Sequence, residues 1–99
     1  MTIRVVARLV ALPDKVNELR AVLLELIAPT RKEVGCIKYE LLQNQSDSTD
    51  FTFVEEWNSD EDLDAHLQSS HIAAAIGKLD GLVVSEADIR RYIAILNHL

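Results

Sequence analysis

Residues 51–58, Phe51-Thr52-Phe53-Val54-Glu55-Glu56-Trp57-Asn58, decide how this chain folds. Successive side chains of an extended segment point to opposite sides, which groups Phe51, Phe53, Glu55 and Trp57 and sets Thr52, Val54, Glu56 and Asn58 behind them. Aromatic and β-branched residues suit that conformation, so a strand is predicted over 51–58. Upstream, residues 36–43 alternate about Ile37, Tyr39 and Leu41, and the polar stretch 44–50 between the two runs is dense in turn formers. The two runs are expected to pair antiparallel across that loop.

Downstream, Ser59 followed by Asp62 has the spacing of a capping box, which starts a helix at about residue 60 carrying Leu63, His66 and Leu67 on one side. Ser69-Ser70-His71 interrupts it, residues 72–79 form a shorter helix closed by Asp80-Gly81, and 82–85 connect onward. From 87 to 96, Ile89, Arg91, Ile93 and Ile95 alternate with Arg90, Tyr92, Ala94 and Leu96 as a last strand. Toward the N-terminus, residues 3–10 set Ile3, Val5, Ala7 and Leu9 against Arg4, Val6, Arg8 and Val10 as a first strand. Pro13 suits the first turn of a helix, and Val16, Leu19, Val22, Leu23, Leu26 and Ile27 recur at helical spacing until the helix ends or kinks near Pro29; Gly35 then breaks the chain. The order β-α-β-β-α-β is the ferredoxin-like arrangement, an α+β class with an antiparallel sheet and helices on one face. Several strands offer apolar residues to the other face as well, so a homodimer packing sheet against sheet is expected.

The 99 residues suffice for one domain over 1–99, with 48% hydrophobic content and no repeat or linker. Sixteen acidic against 10 basic residues give a net charge of -6 with no basic cluster, which argues against nucleic acid as a partner. Met1-Thr2-Ile3-Arg4 runs directly into a strand pattern, without the long apolar stretch of a secretory signal or a membrane span, so a cytoplasmic protein is expected, with no membrane insertion. The single cysteine, Cys36, fits a small buried hydrophobe, and no metal-ligand spacing surrounds it. The acidic run Asp60-Glu61-Asp62 with Asp64 reads as a solvated helix start, so no metal site is expected.

Two stretches carry a resemblance: Ala28-Pro29-Thr30-Arg31 leading into Gly35-Cys36-Ile37-Lys38-Tyr39-Glu40-Leu41, and Glu55-Glu56-Trp57 running through Leu63 and Ala65-His66-Leu67 to Ser70-His71. In these, and over nearly its whole length, the chain resembles the antibiotic biosynthesis monooxygenase family of dimeric α/β-barrel proteins, small bacterial quinol monooxygenases among them. The resemblance implies a dimer whose two sheets form a barrel, and oxidation of a phenolic or quinol substrate by O2 with no cofactor: no flavin, haem or metal. Val34, Ser70 and Ile72 stand where the family often has proline, proline and an aromatic. Haem-degrading relatives place an asparagine and an axial histidine where Ala7 and Ile76 stand here, which disfavours that activity.

Oxygenation without a cofactor requires the substrate to give electrons to oxygen, which it does more readily once its hydroxyl is deprotonated, so a base of near-neutral pKa is needed. His66, on an otherwise apolar helix side, is the candidate; a core-edge histidine bonded to backbone explains it as well. His71 is a second base, a substrate donor or a polar residue at a helix start. Trp57 shares its strand face with Phe53 and suits stacking on a flat ring, a use compatible with core packing. Tyr39 could wall the same space and donate its phenol hydrogen, or bond to backbone. Glu55, on Trp57's side by parity, could orient a histidine or carry a pKa raised by burial, or pair with Arg8, Arg90 or Arg91; Glu56 is expected in such an ion pair. Two other readings use the same equipment: an isomerase of a small oxygenated metabolite, and a non-catalytic dimer that binds a hydrophobic metabolite.

Overall fold

A computed structural model describes residues 1–95. Its elements run β1 (Ile3–Val10), α1 (Val16–Leu24), α2 (Ile27–Arg31), β2 (Cys36–Asn44), β3 (Asp47–Trp57), α3 (Asp60–Leu67), α4 (Ser70–Lys78) and β4 (Asp88–Tyr92). The four strands form one antiparallel sheet in the order β2-β3-β1-β4, the ferredoxin-like topology. β3 and β1 are the two inner strands, and along β1 Val5 and Ala7 sit opposite Glu55 and Phe53 on one edge and Arg91 and Ile89 on the other.

The strand parity read from the sequence puts Val5, Ala7, Leu9, Phe51, Phe53 and Trp57 on the face covered by the helices, where all are buried. Leu19, Leu23 and Leu26 from the α1 stretch and Leu63 from α3 close over them to form the core. Burying side chains of this size contributes about 1.5–3 kcal/mol each, so this face holds the domain together.

Several boundaries move for identifiable reasons. Pro13 does not start the first helix; it occupies a tight turn in which the Lys15 amide donates to the Leu12 carbonyl, and α1 begins at Val16. The break in the long helix falls at Glu25–Leu26, four residues ahead of Pro29, because proline has no amide with which to bond the carbonyl of Glu25. The hairpin turn is shorter than expected, since β3 reaches back to Asp47 and β2 on to Asn44 with an irregularity at Gln43. A bulge between Cys36 and Lys38 turns Ile37 out to solvent, so Ile37 does not share the face of Tyr39. α4 starts at Ser70 and includes His71. The connector after α4 runs beside the end of β1, with Val83 bridged to Ala11, and β4 ends at Tyr92, short of the expected 96, which lies outside the described residues. Among the described residues no helix is long and apolar enough to cross a membrane.

Candidate functional site

A cavity of about 280 Å³ lies between the sheet and the helices. β1 supplies Val5, Ala7 and Leu9 to its floor, β2 and β3 supply Tyr39, Phe53 and Glu55, and α3 and α4 roof it with Leu63, His66 and Ile72. Apart from Glu55, His66 and the Tyr39 phenol, the lining is apolar. Tyr39 stacks on Phe53 with ring centroids 4.8 Å apart and meets His66 edge-on at 5.5 Å. Trp57 and His71 do not line the cavity. Trp57 stands behind His66, their rings 4.7 Å apart, and its indole Nε1–H donates to Glu55 Oε1 at 2.8 Å.

His66 is only 2% exposed. It sits in the last turn of α3, and Leu63, one turn earlier, anchors the same buried side. His71 sits in the first turn of α4, whose N-terminus is capped by the Ser69 hydroxyl accepting from the Ile72 amide. In an unbroken helix, residues five apart point about 140° away from each other. The break between α3 and α4 removes that divergence and lets both rings meet one carboxylate, Glu33 Oε2, at 2.5 Å from His66 Nδ1 and 2.9 Å from His71 Nε2.

Glu33 lies in the turn between α2 and β2, where no candidate was named from the sequence. Its amide bonds to the Thr30 carbonyl and its carbonyl accepts from Cys36. The turn is braced by Arg31, whose Nε and an Nη donate together to the Tyr39 carbonyl at 3.1 and 2.9 Å. The signal for Glu33 was its position: it falls in the gap between the two quoted halves of the 28–41 stretch, two residues ahead of Gly35, in a turn where a carboxylate ordinarily reads as solvated.

These contacts assign protonation states. A carboxylate only accepts, so His66 bears its hydrogen on Nδ1 toward Glu33. Nε2 then carries the lone pair. Burial pushes the pKa of His66 below the ordinary 6.5, and this outweighs the opposing pull of Glu33, so the ring is held neutral. Burial likewise raises the Glu55 carboxyl above its ordinary 4.5, against the bond from Trp57, and raises the Tyr39 phenol far above the usual range, so that Tyr39 stays a donor. Glu55 thus engages Trp57 and not a histidine; Glu56 forms an ion pair on the opposite face, but with Arg4 at 3.5 Å and not with Arg8, Arg90 or Arg91, while Arg8 pairs with Asp50 at 3.1 Å. Burial raises the pKa of the half-buried Cys36 thiol, which disfavours its thiolate.

Residues 2–78 match the family described as antibiotic biosynthesis monooxygenase. Rv0793 of Mycobacterium tuberculosis, named as a candidate monooxygenase, is 36% identical over 80 residues, which is 78% of this chain and 78% of that protein. Its solved structure superposes with a TM-score of 0.88 over 99% of this chain and 98% of its own. PA3566 of Pseudomonas aeruginosa, 27% identical, gives a TM-score of 0.90 over 96% of this chain and 95% of its own. The uncharacterized protein sll1783 of Synechocystis is 32% identical over 80 residues covering 81% of this chain, which spans about half of that protein, 54%.

Proposed function

The chain belongs to the antibiotic biosynthesis monooxygenase family, and we propose that it is an oxidoreductase that oxidises a small phenolic or quinol substrate with O2 and no cofactor. The observation that carries this reading is His66: a buried, neutral base whose one ring nitrogen is held by Glu33 while the ring opens onto an apolar cavity. At about 280 Å³ the cavity is just below the ~300–1,000 Å³ typical of ligand pockets, which fits a compact ring system. Phe53 and Tyr39 offer the flat apolar wall, and Trp57 acts indirectly, by packing behind His66 and by holding Glu55.

In this mechanism Nε2 of His66 takes the proton of a substrate hydroxyl, and the imidazolium that forms is stabilised by Glu33, with His71 fixing the same carboxylate from the other side. The deprotonated ring is electron-rich enough to reduce oxygen directly. A hydroquinone supplies all the electrons needed: quinol and O2 give a hydroxyquinone and water, one oxygen atom entering the ring. The Tyr39 phenol can donate to a substrate oxygen, Glu55 lines the cavity as a carboxyl whose pKa is raised by burial, and the apolar lining limits water during the reaction. A homodimer, sheet against sheet, belongs to this proposal.

Oxygen uptake with a panel of reduced quinols and phenols, using metal-free protein beside a no-enzyme control, tests it. Uptake above autoxidation that disappears in His66→Ala is the expected result. Turnover of a substrate without oxygen would replace it with the isomerase reading, and saturable binding without turnover with that of a binding protein.

A further inference from the structure

Glu33 Oε2, His66 Nδ1 and His71 Nε2 all lie within 4.8 Å of one another, brought together by three separate elements. We propose that they form a site for one divalent transition-metal ion, of which zinc is the natural probe, and that the ion when bound switches His66 from base to donor.

Two imidazole nitrogens and a carboxylate oxygen are a donor set for zinc, nickel or copper and a poor one for magnesium or calcium, which prefer oxygen alone. Ligand atoms at ~2.0–2.2 Å from a tetrahedral zinc stand roughly 3.3 Å apart. To admit the ion, the two histidine–glutamate contacts of 2.5 and 2.9 Å open by less than ~1 Å, and the two histidine nitrogens, which lie within 4.8 Å of each other, adjust to the same spacing. Glu33 and His71 are 17% and 21% exposed at the side chain, so the ion can reach them from solvent, while His66 closes the site from inside. Three protein ligands leave a fourth position for water.

The consequence follows from the imidazole ring. Without metal, Nδ1 carries the hydrogen and Nε2 the lone pair, on a ring that lines the cavity. A metal on Nδ1 displaces that hydrogen, and a neutral ring can then carry it only on Nε2. The nitrogen assigned to deprotonating substrate becomes an N–H donor, and the base is lost although the cavity stays open. This second half rests on His66 being the base; ion binding does not.

Calorimetric titration of zinc into the metal-free full chain is expected to show one ion per chain with micromolar affinity or tighter. Substitution behind a metal ligand costs ~10–100-fold in affinity, so losing a ligand by His71→Ala or Glu33→Gln should cost at least ~100-fold, while Glu61→Gln on the exposed start of α3 should change nothing. His71 is partly exposed, and a melting curve of His71→Ala shows that it folds should Glu33→Gln not. Ring 15N shifts of His66 should move on zinc addition from the Nδ1–H to the Nε2–H form, a readout independent of turnover, and oxygen uptake should fall with zinc and return with a chelator. Absence of saturable binding, or binding unchanged in His71→Ala, overturns the site. Zinc bound with Nε2 still unprotonated overturns the switch. If the tautomer changes but no substrate is ever oxidised, the site and switch stand and only the proposed activity fails.

Discussion

His66 has two tasks that one substitution can separate: it bonds Glu33 through Nδ1, and in the proposed mechanism it takes the substrate proton on Nε2. Glutamine keeps an N–H that can reach Glu33 but supplies no base, so His66→Gln should fold close to normally, while its turnover falls by the ~10²–10⁴-fold that general-base catalysis contributes. Stopped-flow oxygen uptake beside a thermal melt checks both halves, and a rate within a few-fold of the original would remove His66 as the base. Glu55 gives a second test, on stability. Its carboxyl pKa is raised in the fold by burial, so the folded chain favours the protonated form. For a raised pKa the stabilisation is complete below the unfolded value near 4.5 and is lost as pH climbs through the folded value. Glu55→Gln keeps an oxygen for the Trp57 indole and cannot ionise. Its stability relative to the parent should rise as pH goes from 4 to 8; a difference independent of pH would show that the carboxyl is not perturbed.

Gly35 is the joint on which the elements around the site turn. Its φ of +83° belongs to the left-handed region, and a Cβ there would lie 2.1 Å from Asp62 Oδ2 and 2.7 Å from Asp62 Cβ. Rotating Asp62 relieves the first contact and not the second, so Gly35→Ala combines backbone strain with a clash against α3 and should destabilise by roughly 2–4 kcal/mol. Chemical denaturation measures this, and a loss under ~1 kcal/mol would mean that the turn relaxes easily. Turnover should fall as well, because Glu33 is two residues away. This joint also marks the limit of what could be read from the chain. The strands were legible because alternation such as Val5, Ala7, Leu9 and Phe51, Phe53, Trp57 is a local pattern with a single burial solution. The Ser59 and Ser69 caps are local too, but only the first was read as a cap, and the start of α4 was consequently placed after His71. Glu33 was not legible: its partners lie 33 and 38 residues away, and no local pattern distinguishes a carboxylate that binds two histidines from one that faces water. For the same reason Trp57 was expected at the cavity wall, since parity reports the face of a sheet and not the depth along it.

At the scale of the whole molecule, the helices cover one face of the sheet and leave the other open. On that open face Val6 and Val54 are paired at the centre, and Val6, Leu42 and Tyr92 are 37%, 50% and 47% exposed. The ion pairs Arg4–Glu56 and Arg8–Asp50 flank this centre along β1 and β3. An apolar middle with charged margins is the arrangement of a protein interface, whose core excludes water while its rim stays polar. In the homodimer proposed above, a second copy of the chain would present the same pattern in reverse across a two-fold axis, so that each apolar centre would meet the other. Val6 stands opposite Arg90 in the register with β4, and Arg4 and Arg8 lie on the same face of β1. A lysine at position 6 would therefore put further positive charge at the centre of both copies, where the like charges face each other with little solvent to screen them. Sedimentation equilibrium should give twice the 11.1 kDa chain mass for the parent and the single-chain mass for Val6→Lys. The parent at single-chain mass in the micromolar range would show that this face is solvated and that the cavity is complete within one chain. A dimer that survives Val6→Lys would place the contact elsewhere, on the exposed Ile93 and Ile95 beyond β4. If the variant is monomeric yet folded, its oxygen uptake then decides whether pairing of the sheets is needed to hold β1 and β3 in the positions that shape the cavity floor.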